Sequence, residues 1–287
     1  MDAHALLEHP ARAASVVAPL GYYKPNGERP YDYACEPPHG AAWQNYEIDA
    51  RPTEITDARE LPSRPSIARE GFALWDMPSR VRDFLDEETI KRAYYAECAE
   101  LALAATGAQR AYVFDHLVRK RDVDSSTLGF GRRVSGPRPS ANGRVHNDYT
   151  EGSGRKRLEI VLGSEAAAAM VRRHAIVNIW RPLKGPVLDA PLALCNARTV
   201  APGDLVAADV HYATRTGEIY LVQHSERHRW FYYPAMRPQE ALVFKQYDSL
   251  LRGAPRFVPH AAFDDPHAPA DAPPRESIEA RCLVVYD

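Results

Sequence analysis

The segment Arg144–Tyr149 places an imidazole and a carboxylate two residues apart, at His146 and Asp148. Side chains alternate between the two faces of a β-strand, so on a strand these two groups project together and can bind one metal ion. Fe(II) that must also bind oxygen is held by two histidines and one carboxylate, a facial triad, and its remaining coordination positions stay open. The segment therefore predicts two of three metal ligands.

A third ligand and an anion-binding pair lie further along the chain. His260 sits in a short stretch that predicts a strand, and Arg275 follows it at a distance of fifteen residues, with Ser277 two residues later. A guanidinium binds a carboxylate through two parallel hydrogen bonds, and the serine shares its face of a strand. This order of residues resembles that of the Fe(II)/2-oxoglutarate-dependent oxygenases. The resemblance implies that His146, Asp148 and His260 bind iron, and that Arg275 and Ser277 hold the far carboxylate of 2-oxoglutarate.

Other histidines could take the place of the third ligand. His224 and His228 lead into an aromatic strand that could face the mouth of the barrel. Neither is followed by an arginine fifteen residues later. His146 could also be a strand histidine that bonds to Asp148 without any metal. The sequence alone leaves these alternatives open.

Arg275 has alternatives of its own. It could form an ion pair with Glu276 or Glu279, or yield its role to Arg281. The rise of a strand separates Arg281 from Arg275 by about 20 Å, so we expect Arg281 not to reach the same carboxylate. Replacing Arg281 is then expected to leave the KM for 2-oxoglutarate nearly unchanged.

Composition limits the class of protein. The chain has 287 residues, 45% of them hydrophobic and 26% charged, and a net charge of −2, which gives no global attraction to nucleic acid or to an anionic membrane. Its four cysteines form no CxxC pair, which argues against structural zinc or disulfides and favours a cytoplasmic location. No apolar run approaches the length of a membrane span. We expect a soluble, unexported protein with a small-molecule partner, and a homodimer is compatible with this composition.

The pattern of hydrophobic residues predicts a mainly β protein with flanking helices. Asp86 is a candidate N-cap, and the apolar run that follows ends at Gly107, which predicts the longest helix. Other predicted N-terminal elements are a short helix in 1–20, an extended wrapping segment in 21–65, a strand at 71–75 and a short helical piece at 78–85. We expect residues 1–110 to pack on a catalytic core of residues 111–287, the two forming one compact domain.

Beyond residue 110 the pattern turns to short strands at roughly ten-residue spacing, which is typical of a sandwich or jelly roll and not of βαβ units. A polar stretch at 119–143 predicts a mobile loop over the site, and a helix is predicted at 164–174. The predicted strands are 111–118, 175–180, 191–195, 204–206, 219–222, 230–233 and 241–244, followed by those of His260 and Arg275.

Several segments together carry a narrower resemblance, among them Asn178–Pro182, Phe244–Ser249 and Arg275–Arg281. They look like the family that includes the cephalosporin 7α-methoxylase subunit, gibberellin desaturase-like proteins and fungal hydroxylase/desaturases. The resemblance implies a double-stranded β-helix core (a cupin-like jelly roll) and the use of Fe(II), 2-oxoglutarate and O2. It also implies hydroxylation, desaturation or cyclisation of a small molecule in secondary metabolism, without transferring a particular substrate.

Three residues are candidate substrate contacts. Tyr149 adjoins the metal segment, and Asn178 and Trp180 share one face of a predicted strand.

Two rival functions use the same fold. One is a cupin-like hydrolase or isomerase that binds Zn(II) or Mn(II) without 2-oxoglutarate, and the other is a binding protein without catalysis.

Overall fold

Two β-sheets form the framework of the protein. The computed structural model describes residues 14–124, 127–129, 131 and 138–287. The strands are β1 (Ser15–Lys24), β2 (Tyr31–Tyr33), β3 (Glu47–Asp57), β4 (Phe72–Asp76), β5 (Arg110–Lys120), β6 (His146–Asn147), β7 (His174–Pro182), β8 (Leu192–Cys195), β9 (Leu205–His211), β10 (Thr216–Val222), β11 (Trp230–Tyr232), β12 (Glu240–Asp248), β13 (His260–Ala262) and β14 (Glu276–Val285). Nine strands pair in the order β1-β3-β11-β8-β13-β6-β10-β9-β2, and five in the order β4-β12-β7-β14-β5.

Within the described part of the chain, α-helices occupy two places in the sequence. The first group is α1 (Glu87–Thr89), a π-helical turn (Ile90–Tyr94) and α2 (Tyr95–Thr106), and the second is α3 (Glu151–Leu162) and α4 (Glu165–Ala169). Asp86 caps the first group through its carboxylate, and Gly107 ends it in the left-handed conformation, as the sequence predicts. Among the described residues, no helix is both long and apolar enough to cross a membrane.

The apolar core lies between the two sheets and beneath the first helix group. Leu194 of β8 and Trp180 of β7 belong to one buried cluster, so the two sheets pack face to face. Ile179 points the other way and packs with Leu101 of α2, which covers the outer face of the smaller sheet. The alternation of side chains along β7 thus buries both of its faces.

The N-terminal segment differs from its prediction. Residues 1–13 lie outside the described part of the chain, but Ser15–Lys24 is a strand and not part of a helix. Val16, Ala18 and Leu20 are buried, whereas Val17 is 60% exposed, and this period of two is that of a strand with one buried face. The segment 21–65, predicted to wrap the core, supplies the end of β1 together with β2 and β3, so much of it belongs to the larger sheet.

Three other element predictions need correction. No helix forms at 78–85, and the helix predicted at 164–174 is limited to α4, because His174 already begins β7. Helix α3 was not predicted, since its sequence holds two glycines and few apolar residues. Part of the predicted loop at 119–143 lies outside the described residues. Of the described part, Arg119 and Lys120 belong to β5, and residues 140–143 are buried.

Candidate metal centre and its cavity

Two neighbouring strands bring the candidate metal ligands together. His146 of β6 and His260 of β13 are direct partners across the antiparallel pair, with ring centroids 4.3 Å apart. Asp148 follows β6, and its Oδ1 lies 3.5 Å from Nε2 of His146. One ligand atom from each of the three residues lies within 4.8 Å of the other two, so a single ion could contact all three.

The protonation of both histidines suits a metal. Nδ1 of His146 lies 2.7 Å from the carbonyl oxygen of Arg144, and Nδ1 of His260 lies 3.4 Å from that of Val258. A carbonyl only accepts, so each Nδ1 carries the proton and each Nε2 keeps its lone pair. Burial, and the neighbouring His146, lower the pKa of His260 to about 3, so its imidazole is neutral at neutral pH.

Asp148 is held by two side chains of the smaller sheet. Nδ2 of Asn178 donates to its Oδ2 at 2.7 Å, and Nε of Arg281 donates to the same oxygen at 3.0 Å. Asn178 and Arg281 are direct partners across β7 and β14. Burial alone would raise the pKa of Asp148, but Arg281 and the two histidines hold that pKa well below its usual range. The carboxylate is therefore ionised, with Oδ1 turned toward the histidines.

The backbone of the metal segment is fixed by strand β12. The amide of Asp148 donates to the side chain of Gln246 at 2.7 Å, and the side chain of Asn147 donates to the carbonyl of Gln246 at 2.8 Å. β6 has only two residues, so these bonds, and not a long ladder, set the direction in which Asp148 leaves the strand.

The rival histidines lie in a different cluster. His228 bonds to Asp204 through Nε2 at 3.2 Å and approaches the Tyr22 hydroxyl through Nδ1 at 3.3 Å. His224 packs edge-on against the same tyrosine. Within the described residues, only His146, Asp148 and His260 form a group with metal-ligand geometry.

Arg275 has the environment of an anion site. Its guanidinium is buried over the Trp180 ring, with 5.6 Å from Cζ to the centroid, and Nη1 donates to the carbonyl of Ala190 at 2.6 Å. Its buried Nε has no partner among the described residues. Burial, and the nearby Arg119, lower the pKa of Arg275 to about 10. A cation short of compensating charge fits an anionic ligand, and Ser277, also buried, lies two residues along β14.

Neither predicted alternative partner occupies Arg275. Glu276 binds Lys184 at 2.8 Å, and Glu279 binds Arg281 at 2.9 Å. Arg281 is directed to Asp148 and to Glu279, so it contacts the candidate metal site. The expectation that its replacement leaves the KM for 2-oxoglutarate nearly unchanged stays a prediction.

A cavity of roughly 1310 Å³ opens on the metal ligands. His146 and Asp148 form part of its wall, with Tyr149, Phe114 and residues of α3 nearby. Tyr149 thus lies where a substrate contact was predicted. Asn178 and Trp180 do not line this cavity, because Asn178 is buried against Asp148 and Trp180 against Arg275.

Sequence reasoning missed three features of the site. Arg119 on β5 is half-buried beside the cavity, and its position opposite Ser277 follows only from the pairing of β5 with β14. The contact of Arg281 with Asp148 depends on the register of β14 with β7. Arg157 lines the cavity from α3, which the glycines of that helix concealed. Only the candidate cap at Thr150, whose side chain accepts from the amide of Ser153, signalled a helix there.

Comparison with known proteins places this geometry in a family. A family profile described as an oxidoreductase/YMDC permease-like domain matches residues 20–285. The hydroxylase/desaturase efuI of Hormonema carpetanum is 31% identical over 260 residues, 84% of this chain and 85% of the relative. The alpha-ketoglutarate-dependent dioxygenase phiK of a fungal species is 31% identical over 281 residues, 96% of this chain and 98% of the relative. The chain belongs to the Fe(II)/2-oxoglutarate-dependent dioxygenases.

A solved structure agrees with this membership. The iron and alpha-ketoglutarate-dependent endoperoxidase NvfI matches this dioxygenase with a TM-score of 0.82 and 27% identity, over 96% of this chain and 99% of that one. The predictions of a jelly-roll fold, of the enzyme class and of Fe(II), 2-oxoglutarate and O2 are thereby confirmed. The donor set suits this use, since two imidazoles and one carboxylate are the ligand types of a non-haem Fe(II) oxygenase site.

Proposed function

We propose that this dioxygenase oxidises a C–H bond of a small molecule of secondary metabolism at iron held by His146, Asp148 and His260. The observation that carries the assignment is the convergence of three ligand atoms within 4.8 Å of one another, with two of the residues in the wall of a large cavity. Hydroxylation, desaturation and ring closure are the candidate outcomes, and the printed names of its relatives include hydroxylase/desaturase and endoperoxidase.

Arg275 and Ser277 hold the far carboxylate of 2-oxoglutarate in this proposal. The buried guanidinium with its unpartnered Nε supports the assignment, since a carboxylate would supply both the missing hydrogen bond and the missing negative charge. Arg119, which is half-buried, adds a second cation beside the cavity and opposite Ser277. Trp180 acts on this site by packing under the guanidinium.

Iron, 2-oxoglutarate and O2 together supply an oxidant that takes a hydrogen atom from carbon. The protein's part is to place one substrate carbon near the metal and to keep water away from it. Tyr149 and Phe114 provide an apolar wall beside Asp148 for that purpose. Asn178 and Arg281 keep one carboxylate oxygen of Asp148 occupied, which leaves the other for the metal.

Succinate formation tests the proposal. Wild-type protein loaded with Fe(II) is given 2-oxoglutarate, O2 and a panel of amino acids, peptides and polyketide-like acids, and succinate is quantified with and without each compound. We expect at least one compound to increase succinate above the level of the Zn(II)-loaded protein and of the His146→Ala variant. Equal amounts of succinate in all three preparations would contradict the proposed function and favour a metalloenzyme that does not use 2-oxoglutarate.

Two further predictions remain part of the proposal, a cytoplasmic location and a homodimer. Light scattering after size-exclusion chromatography measures the oligomeric state. A mass of two chains is the expected result, and a mass of one chain would contradict the dimer.

A further inference from the structure

Arg157 of α3 lies in the cavity wall on top of two aromatic rings. Its Cζ is 4.8 Å from the centroid of the Phe114 ring and 5.8 Å from that of Tyr149, and these two rings meet edge to face at 6.4 Å. Its buried Nε has no hydrogen-bond partner, and no carboxylate pairs with it, among the described residues. Tyr149 is next to Asp148 in the chain, so this cation is close to the metal ligands.

The carboxylates of the cavity wall are ion-paired with arginines other than Arg157, with one exception. Asp115 and Asp148 both bind Arg281, and Asp209 and Glu218 both bind Arg29. Glu36, the exception, is exposed.

Four cations of the wall have no acidic partner. No carboxylate within 4 Å is found among the described residues for Arg119, Lys156, Arg157 and Arg215, all of which line the cavity. Because five carboxylates and five cations line the cavity, the wall as a whole is nearly charge-balanced. The positive charge of Arg157 is therefore a local feature, set by its position away from the acids.

We propose that the substrate of this enzyme carries a carboxylate, which Arg157 binds, and that its apolar part lies against Phe114 and Tyr149. A guanidinium pre-oriented by two rings, with an unpartnered N–H, suits bidentate binding of a planar anion. The inference rests on the proposed function, because it takes the cavity beside His146 and Asp148 as the substrate site. Arg275 provides a separate anion site for 2-oxoglutarate, so Arg157 is free for the substrate.

Two fluorescent probes of nearly the same shape test the charge requirement. Anilinonaphthalenesulfonate carries an anion that stands in for the carboxylate, and phenylnaphthylamine has the same ring body without it. Both are titrated into wild-type protein, Arg157→Gln, Arg157→Lys and the control Arg155→Gln, all with saturating 2-oxoglutarate. Arg155 is on the same helix but is 65% exposed and paired with Glu151.

We expect Arg157→Gln to weaken binding of the anionic probe about tenfold or more, since a hydrogen bond to a charged group is lost. Binding of the neutral probe should change little, Arg157→Lys should retain part of the affinity, and Arg155→Gln should bind both probes as the wild type does. An equal loss for both probes would overturn the proposal, because Arg157 would then only support the rings. Unchanged binding of the anionic probe in Arg157→Gln would overturn it as well.

A competition experiment on the wild type keeps the test decisive even if the variants do not fold. Phenylbutanoate should displace the anionic probe, whereas its methyl ester should do so at least tenfold less effectively. Equal displacement by acid and ester would contradict a carboxylate site. In a separate titration that starts without 2-oxoglutarate, displacement of the probe by 2-oxoglutarate alone would assign Arg157 to the co-substrate and overturn the proposal. These readouts need no turnover, so they are independent of the succinate assay.

Discussion

Asp148 has different partners on its two carboxylate oxygens. Oδ2 accepts hydrogen bonds from Asn178 and Arg281, whereas Oδ1 faces His146. Groups that orient a metal ligand in this way affect metal affinity almost as strongly as the ligands do. Arg281 is therefore a positioning residue of the proposed iron site.

Arg281→Gln is expected to weaken Fe(II) binding about 10- to 100-fold, because it removes the charge that keeps Asp148 ionised and oriented. Anaerobic competition with a chromophoric chelator measures the affinity. The matched control is Arg51→Gln, an exposed arginine that pairs with Asp49 and should bind iron as the wild type does. Unchanged iron affinity in Arg281→Gln would contradict this role of Arg281 and show that Asn178 alone is enough to orient Asp148.

Arg275→Ala is expected to keep its iron and to raise the KM for 2-oxoglutarate by about a hundredfold, since an unpaired buried carboxylate costs on the order of 3 kcal/mol. Arg275→Lys should recover only part of the loss, because an ammonium lacks the two-pronged geometry. Steady-state kinetics with 2-oxoglutarate as the varied substrate provide the measurement. Arg198→Gln, an exposed site, serves as control, since Arg281 touches a proposed metal ligand. An unaltered KM in Arg275→Ala would remove Arg275 from the co-substrate site.

At the residue scale, spacing along the chain identified the groups that the structure brings together in the metal centre. His146 and Asp148 are two positions apart, and the position of His260 was signalled by Arg275. Arg281 and Arg157 could not be placed in the same way. Their roles depend on which strand lies beside β14 and on where α3 packs, and both are long-range features that a local pattern does not contain.

At the element scale, α3 depends on a glycine for its packing. A Cβ built on Gly154 would lie 2.5 Å from the ring of Tyr247 in β12, whereas one built on Gly152 meets nothing closer than 3.5 Å. The absence of a side chain at Gly154 lets the helix sit close to the smaller sheet. This contact sets the position of Arg157, one turn further along.

Gly154→Ala is expected to destabilise the protein by about 1–3 kcal/mol, because the ring of Tyr247 is fully buried and has little room to move. Gly152→Ala on the same helix should be neutral or stabilising by up to about 1 kcal/mol, since alanine favours a helix over glycine. Urea unfolding followed by circular dichroism compares the two variants. Equal stability would mean that the contact between α3 and β12 is not tight.

The prediction of elements succeeded where the local pattern and the tertiary environment agree. Strand β7 was predicted because most of its residues are apolar. The helix after Asp86 was predicted because an N-cap residue marks its start and a glycine marks its end. The N-terminal strand was missed because Pro19 and Gly21 interrupt its apolar pattern. The strand β3, whose pairing makes Ser15–Lys24 a strand, lies about thirty residues away. Strand structure in that segment is imposed by a partner.

At the scale of the whole molecule, the N-terminal strands and the metal centre share one sheet. β1 pairs with β3, β3 with β11, and the order continues through β8 and β13 to β6. A direct contact also joins them, because the amide of Val145 donates to the carbonyl of Gly21 at 2.8 Å. We expect the segment 1–110 and the core 111–287 to unfold together.

Leu20→Ala is expected to lower the free energy of unfolding by about 2–5 kcal/mol, because Leu20 is fully buried. Val17→Ala on the same strand should cost less than about 0.5 kcal/mol, since Val17 is 60% exposed. Calorimetry should show one transition in both variants. A second transition that responds only to Leu20→Ala would contradict a single cooperative domain.

The central claim is that His146, Asp148 and His260 hold the iron to which 2-oxoglutarate binds. Anaerobic addition of 2-oxoglutarate to the Fe(II)-loaded protein tests it most directly, because the chelate gives a weak visible charge-transfer band. The band should appear in the wild type and in His228→Ala, whose histidine bonds to Asp204 and Tyr22 away from the centre. It should be absent from His260→Ala. A band that survives in His260→Ala and disappears in His228→Ala would contradict the account.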